Sequence, residues 1–123
     1  MTDTSIRRRA NEPEELARLF VECANQGDVE GLVALYEPGA VLALPDGLVA
    51  TGSEEIKKFY STLLSSRPRF RPGVQRPALR CGRLALTSSR LTTGAVTAEV
   101  ARQQADGSWL WVVDQPAIAQ SPT

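Results

Sequence analysis

The chain contains no histidine. Within one subunit this excludes Ser-His-Asp triads, Cys-His dyads, histidine-ligated zinc and imidazole acid–base work. Proton transfer is left to carboxylates, tyrosine, lysine or cysteine. Cysteine is scarce: Cys23 and Cys81 are the only two, too few for a disulfide framework. Cys23 lies on a helix face among apolar residues and is expected to be a buried free thiol. Net charge is lacking too. Fourteen basic residues balance fourteen acidic ones, so no global field draws nucleic acid or an anionic membrane. No apolar run approaches the ~20 residues that cross a bilayer. The N-terminal arginines are not followed by the apolar stretch of a secretory signal. A cytoplasmic, reducing location fits these absences. With no glycine-rich phosphate loop and no metal-spaced cluster, neither a cofactor nor a metal is expected.

What remains is an ordinary globular composition, 42% apolar and 23% charged over 123 residues. That is one domain, burying about two thirds of the surface its unfolded chain exposes. Two basic clusters stand out locally, Arg7-Arg8-Arg9 and the set Arg67, Arg69, Arg71 around Pro68 and Pro72. No aromatic residues interleave with them as a base-stacking platform requires, so they read as solvated surface in preference to an anion or nucleic-acid site.

Along the chain, residues 1–10 read as a flexible arm, 11–119 as one domain and 120–123 as a tail. Asn11-Glu12-Pro13-Glu14-Glu15 has the cap, proline and acids of a helix start, and Leu16, Leu19, Phe20, Cys23 and Ala24 recur at helical spacing up to Gly27. Asp28 caps a short second helix through Leu35 and Tyr36, ended by Pro38-Gly39. Ala40–Leu44 is a strand, Pro45-Asp46-Gly47 a turn and Leu48–Ala50 a returning strand. Ser53 caps a third helix whose buried face carries Ile56, Phe59, Tyr60, Leu63 and Leu64. Residues 67–72 are irregular. Four β-rich stretches follow, near 75–81, 83–91, 95–105 and 108–119, the last two joined at Asp106-Gly107, a strong hairpin signal. Helices first and a meander last predict an α+β cone: three N-terminal helices packed on one face of a curved antiparallel sheet.

These pieces resemble a known group. Asn25-Gln26-Gly27-Asp28, Leu32-Val33-Ala34-Leu35-Tyr36, the Pro45-Asp46-Gly47 turn, Gly52 ahead of the Ile56/Phe59 helix, and Asp106-Gly107-Ser108-Trp109 with Val112-Val113-Asp114-Gln115-Pro116 are similar to the nuclear-transport-factor-2-like superfamily, in particular its SnoaL-like and ketosteroid-isomerase-like small members. The resemblance spans about residues 12–119 and specifies fold more than activity. One departure is Gly39, where many relatives carry an acid. The catalytic residues of the ketosteroid isomerases are not carried over: the base position holds Leu44, the oxyanion tyrosine position Phe20, and the second donor position falls at Val96 or Thr97. That reaction by that mechanism is therefore rejected. The resemblance also implies that Val112 and Asp114 face the cavity and that members pair sheet to sheet.

Asp114 is the main candidate. Alternation along the last strand places Leu110, Val112 and Asp114 on one face and Trp109, Trp111 and Val113 on the other. If Asp106-Gly107 is a two-residue turn, Glu99 stands opposite Asp114. Burial and like charge then raise the carboxyl pKa values, so the pair can supply an acid and a base. The plainer alternative is that Asp114 only accepts a hydrogen bond from the pocket wall while Glu99 pairs with an arginine at the rim. Tyr36 and Tyr60 are core aromatics whose hydroxyls reach inward. Phe20, Leu44 and Val112 complete the expected ligand wall. Trp109 and Trp111 form an outer apolar stripe, expected to seat a second copy. The expected function is binding of a small apolar or ring-containing molecule by a homodimer without nucleic-acid or membrane partners. The alternatives are a lyase, isomerase or hydrolase using Asp114 and Glu99, and a structural dimerisation domain.

Overall fold

The computed structural model describes residues 8–120, which form three α-helices and eight strands, two of the strands lying between the second and third helices. The helices are α1 (Glu15–Asn25), α2 (Val29–Val33) and α3 (Gly52–Leu64). The strands are β1 (Tyr36–Ala43), β2 (Val49–Thr51), β3 (Val74–Gln75), β4 (Leu79–Cys81), β5 (Leu84–Thr87), β6 (Ser89–Arg90), β7 (Val96–Gln103) and β8 (Trp109–Ala119). The sheet runs β2-β1-β8-β7-β5-β4, with β6 on β7 and β3 on β6. It is mixed and not purely antiparallel, because β1 and β8 pair in parallel. Among the described residues no helix is long and apolar enough to cross a membrane.

Both long helices begin by a device other than the expected cap. Residues 11–14 form a turn, with Glu15 N–H donating to Glu12 O at 3.0 Å, and α1 follows it. Asn11 contributes its backbone N–H to Glu15 Oε1 at 2.7 Å. Likewise Thr51 N–H donates to Glu55 Oε1 at 2.7 Å ahead of α3, and Ser53 lies inside the helix. In each case an acid in the first turn reaches back to a free amide. Asp28 caps α2 as expected, accepting from Gly31 N–H at 3.0 Å. A Cβ at Gly31 would collide with the Asp28 carboxylate and Cys23 Sγ, so a larger residue there displaces the cap or the thiol. Cys23 is half-buried and Cys81 exposed, neither in a disulfide.

Tyr36 is not helical. Trp111 N–H donates to Leu35 O at 2.8 Å, and Tyr36 lies beside Trp111 in the parallel pair, so β1 starts four residues earlier than expected. Pro38 cannot extend a helix, and the open edge of β8 supplies hydrogen bonds that a further helical turn lacks.

Between its loop and the Glu99–Asp114 pair, the β7–β8 hairpin departs from the expected register twice. Its loop has three residues, Ala105-Asp106-Gly107, closed by Gln104 N–H to Ser108 O at 2.7 Å, with Gly107 at φ +88°. Near the loop the pairs are therefore Gln103↔Trp109 and Ala101↔Trp111. A bulge at Val112 then inserts one extra residue into β8, and beyond it Val100 faces Val113 and Glu99 faces Asp114. The two one-residue shifts cancel, so the expected carboxylate pair forms.

The bulge also corrects the tryptophans. An extra residue reverses the alternation of side chains, so Trp109 and Trp111 share the inner face with Asp114. They are 1% and 4% exposed. The outer stripe expected from them does not exist. With Leu16, Leu32, Leu42 and Ile56 they make the core between helices and sheet, each large apolar side chain contributing about 1.5–3 kcal/mol.

The arm ends in contact with the sheet: Ala10 is buried and its carbonyl accepts from Trp109 N–H at 2.9 Å. Arg8 pairs with Glu22 and Arg9 with Asp106 at the surface. Arg7 and the rest of residues 1–7, like residues 121–123 of the tail, lie outside the described residues.

Candidate functional site

Three elements bring three polar side chains into the apolar interior. β8 contributes Asp114, β1 Tyr36 and α3 Tyr60. Tyr36 Oη donates to Asp114 Oδ2 at 2.5 Å, and the Tyr36 and Tyr60 hydroxyls lie 2.7 Å apart. Tyr36 has one proton. When Asp114 is ionised that proton goes to the carboxylate, so Tyr60 donates to Tyr36 and the chain runs Tyr60→Tyr36→Asp114.

The electrostatics follow from burial. Asp114 is 6% exposed, and its carboxyl is pushed up to about 7, chiefly by desolvation and further by the Glu99 charge, against the stabilising bond from Tyr36. Burial raises the phenol pKa values of both tyrosines, so they stay protonated. Glu99 is raised by burial as well, opposed by its hydrogen bonds to Thr87 and Thr97. It accepts from Thr87 Oγ1 at 2.6 Å, Thr87 being its partner on the other neighbouring strand, β5. Two buried carboxyls thus face each other across one strand pair, each with its own hydroxyl donor.

An aromatic wall encloses the chain. Phe20 packs edge-on to Tyr60 and Phe70 at centroid distances of 5.8 and 5.7 Å and lies 6.2 Å from Trp111. Tyr36 and Trp111 are 5.2 Å apart, as are Phe59 and Tyr60. Trp111 Nε1 is buried and, among the described residues, is the one buried side-chain polar atom without a hydrogen-bond partner. No group of acidic or thiol side chains among the described residues is arranged to hold a metal ion.

Of the residues expected to form the site, Asp114, Tyr36 and Tyr60 are joined directly, Glu99 is their cross-strand neighbour and Phe20 walls them. Leu44 packs against the core at the start of the Pro45–Gly47 turn. Val112 does not belong with them. It is the inserted bulge residue, half-buried and apart from the hydrophobic residues packed on the core. Two residues were missed. The Asn25 side chain clamps the backbone of Phe70 in both directions, donating to its carbonyl at 3.0 Å and accepting from its N–H at 2.8 Å. The one available signal was a lone phenylalanine inside an otherwise Arg/Pro-rich stretch.

Two cavities open away from Asp114. The larger, of about 500 Å³, opens between the C-terminal ends of α1 and α3 and the segment after α3, against Ala24, Asn25, Leu64, Arg67 and Arg69. The other, about 230 Å³, is a shallow groove on the outer sheet face beside Leu79, Leu86 and Val100.

The model of the SnoaL-like domain family matches residues 17–120. No curated protein sequence matches the chain. Several solved structures share the fold. An association domain assigned to a calcium/calmodulin-dependent protein kinase type II, from Thiobacillus denitrificans, is 16% identical, with 93% of this chain and 100% of that one covered at a TM-score of 0.73. A cystatin-like-fold protein of unknown function from Nostoc punctiforme is 22% identical, with 89% of each chain covered at 0.68. A ketosteroid isomerase-like protein from Erwinia carotovora is 20% identical, with 82% of this chain and 88% of that one covered at 0.62. At these identities the likeness is one of fold.

Proposed function

The chain belongs to the SnoaL-like domain family, and from that premise we propose that it binds a small, largely apolar molecule between its helices and its sheet. The observation that carries this is the unused polar capacity of an aromatic interior. The Trp111 N–H is buried without an acceptor, beside a Tyr60–Tyr36–Asp114 chain that ends in a buried carboxyl. An orphaned buried donor costs about 1–3 kcal/mol, which a ligand acceptor offsets. Apolar walls with a few convergent polar groups are the general description of a small-molecule site.

Entry is through the larger cavity. Its floor residues Ala24 and Leu64 lie one helical turn beyond Phe20 and Tyr60 on the same two helices. Phe70, held by Asn25 and packed on Phe20, is the side chain that must swing for a ligand to reach the tyrosines. The test is titration with Nile red, a neutral dye that brightens and shifts blue in apolar sites. Saturable binding is expected, strengthened several-fold in Phe70→Ala. Absence of saturable binding in both proteins overturns the proposal.

A second use of the same residues is acid–base catalysis of the lyase, isomerase or hydrolase kind. It is favoured by a carboxyl held up to about 7 with Glu99 opposite. Asp114→Asn separates the two: dye affinity persists, whereas carboxylate-dependent turnover disappears. The protein acts as a homodimer in this proposal, through an outer-face row other than the tryptophans. A purely structural association role, the property named for the Thiobacillus protein, becomes the better description if no ligand binds.

A further inference from the structure

We propose that the molecule taken up here carries an anionic group, a carboxylate, sulfonate or phosphate, which Arg67 and Arg69 seat at the mouth of the larger cavity; this rests on that cavity being the way in. Both arginines line it, and no carboxylate does. Neither forms an ion pair with a described residue, a state they share with Lys58, Arg71, Arg76, Arg83 and Arg90 and not with Arg8, Arg9, Arg18, Lys57, Arg80 and Arg102.

The backbone there is held in an unfavourable form. Arg67 has φ +53°, a left-handed conformation that is unfavourable for a non-glycine residue. It also precedes Pro68, which favours extended backbone before it. An arginine kept at a glycine-type position beside a cavity is strain of the kind found at binding sites. Arg69 is fixed differently: it precedes Phe70, whose backbone the Asn25 amide holds at both ends.

The helix ends at this mouth would repel an anion if their carbonyls were bare, but the last turns are occupied by local donors. Ala24 O accepts from Gly27 N–H at 3.1 Å, Leu64 O from Arg67 N–H at 3.0 Å, and Thr62 O from Ser65 Oγ at 2.6 Å. That leaves the two guanidinium groups as the dominant charges. Their fork geometry suits a carboxylate or phosphate. The charged head stays at the rim while the apolar body runs over Ala24 and Leu64 toward Phe20.

The experiment compares 8-anilinonaphthalene-1-sulfonate, an anionic dye, with neutral Nile red on the full chain. For the natural protein, decanoate is expected to displace the anionic dye and decanol is not. In Arg67→Gln/Arg69→Gln the affinity for the anionic dye falls at least tenfold and its salt dependence flattens, while Nile red binds as before. Arg67→Lys/Arg69→Lys restores anionic binding to within a few-fold, which a merely misfolded strap would not. Unchanged anionic binding in the glutamine variant, or equal displacement by decanol, overturns the anion assignment and leaves the cavity's use intact. Failure of the natural protein to bind either dye overturns the cavity's use itself.

Discussion

At the scale of single residues, Asp114 makes stability depend on pH in an uncommon direction. Most native carboxyls are lowered, so acid destabilises. Asp114 is raised, from an ordinary 3.8 to about 7, by burial first and the Glu99 charge next. Between those values the folded protein binds more protons than the unfolded chain, so this group's contribution is fully present below about pH 4 and is lost as pH rises through 7. Three pH units correspond to about 4 kcal/mol as an order of magnitude. Urea denaturation at pH 5 and pH 8 is expected to show a less stable protein at the higher pH. Asp114→Asn reduces that difference, and a residual slope of the same sign belongs to Glu99, also raised by burial. A pH dependence unchanged by Asp114→Asn would refute the assignment. Much of this chemistry was legible in the sequence, since a lone acid on an apolar strand must be buried or paired. The direct partners were not. Tyr36 and Tyr60 are 24 residues apart, and only the fold decides that their hydroxyls meet.

At the scale of elements, the extra residue of β8 governs which side chains share a face. Deleting Val112 restores unbroken alternation. Trp109, Trp111 and Asp114 then fall on one face by alternation alone, and Ala101↔Trp111, Val100↔Val113 and Glu99↔Asp114 become consecutive pairs with no residue left over. Val112 deletion is therefore expected to leave a cooperatively folding protein with blue-shifted tryptophan emission, and Val112→Ala one with a loss of about 1 kcal/mol or less. A deletion variant that loses cooperative unfolding or red-shifts its emission would show that the bulge is needed for more than side-chain alternation. The hairpin was legible from Asp106-Gly107, but its loop length was not. Asp-Gly serves both the two-residue loop and the three-residue loop with its glycine left-handed. In the latter, Asp106 Oδ1 accepts from Ser108 N–H at 2.9 Å and from its hydroxyl at 2.6 Å, a local preference expressed only once the strands pair.

At the scale of the whole molecule, the outer sheet face carries an apolar row after all, made of different residues. Val41, Val113, Val100, Leu86 and Leu79 are direct neighbours across β1, β8, β7, β5 and β4. Val113 is 43% exposed, Leu86 48% and Leu79 70%. A continuous apolar stripe open to water is the kind of surface that pairs, and it is the face proposed for the homodimer. Sedimentation equilibrium is expected to give a dimer for the natural chain and a monomer for Val100→Lys/Leu86→Lys, with near-unchanged circular dichroism. A natural chain that is monomeric at high concentration would exclude this interface. Trp109→Ala is not a test of it, because Trp109 is a core residue and its loss unfolds the domain.

The sequence by itself determined the order of helices and strands, the Asp28 cap and the two hairpins, because helical spacing, alternation and turn chemistry are local; Glu99 met Asp114 only because the bulge offset the longer loop. The tertiary structure alone decided the rest. The edge of β8 drew Tyr36 out of a helix and into a strand, the bulge at Val112 turned both tryptophans inward, and the end of α1 reached across to hold Phe70. Each of these is a competition between a local preference and a hydrogen bond or apolar contact offered by a distant segment. A distant partner has no signature in the few residues it captures.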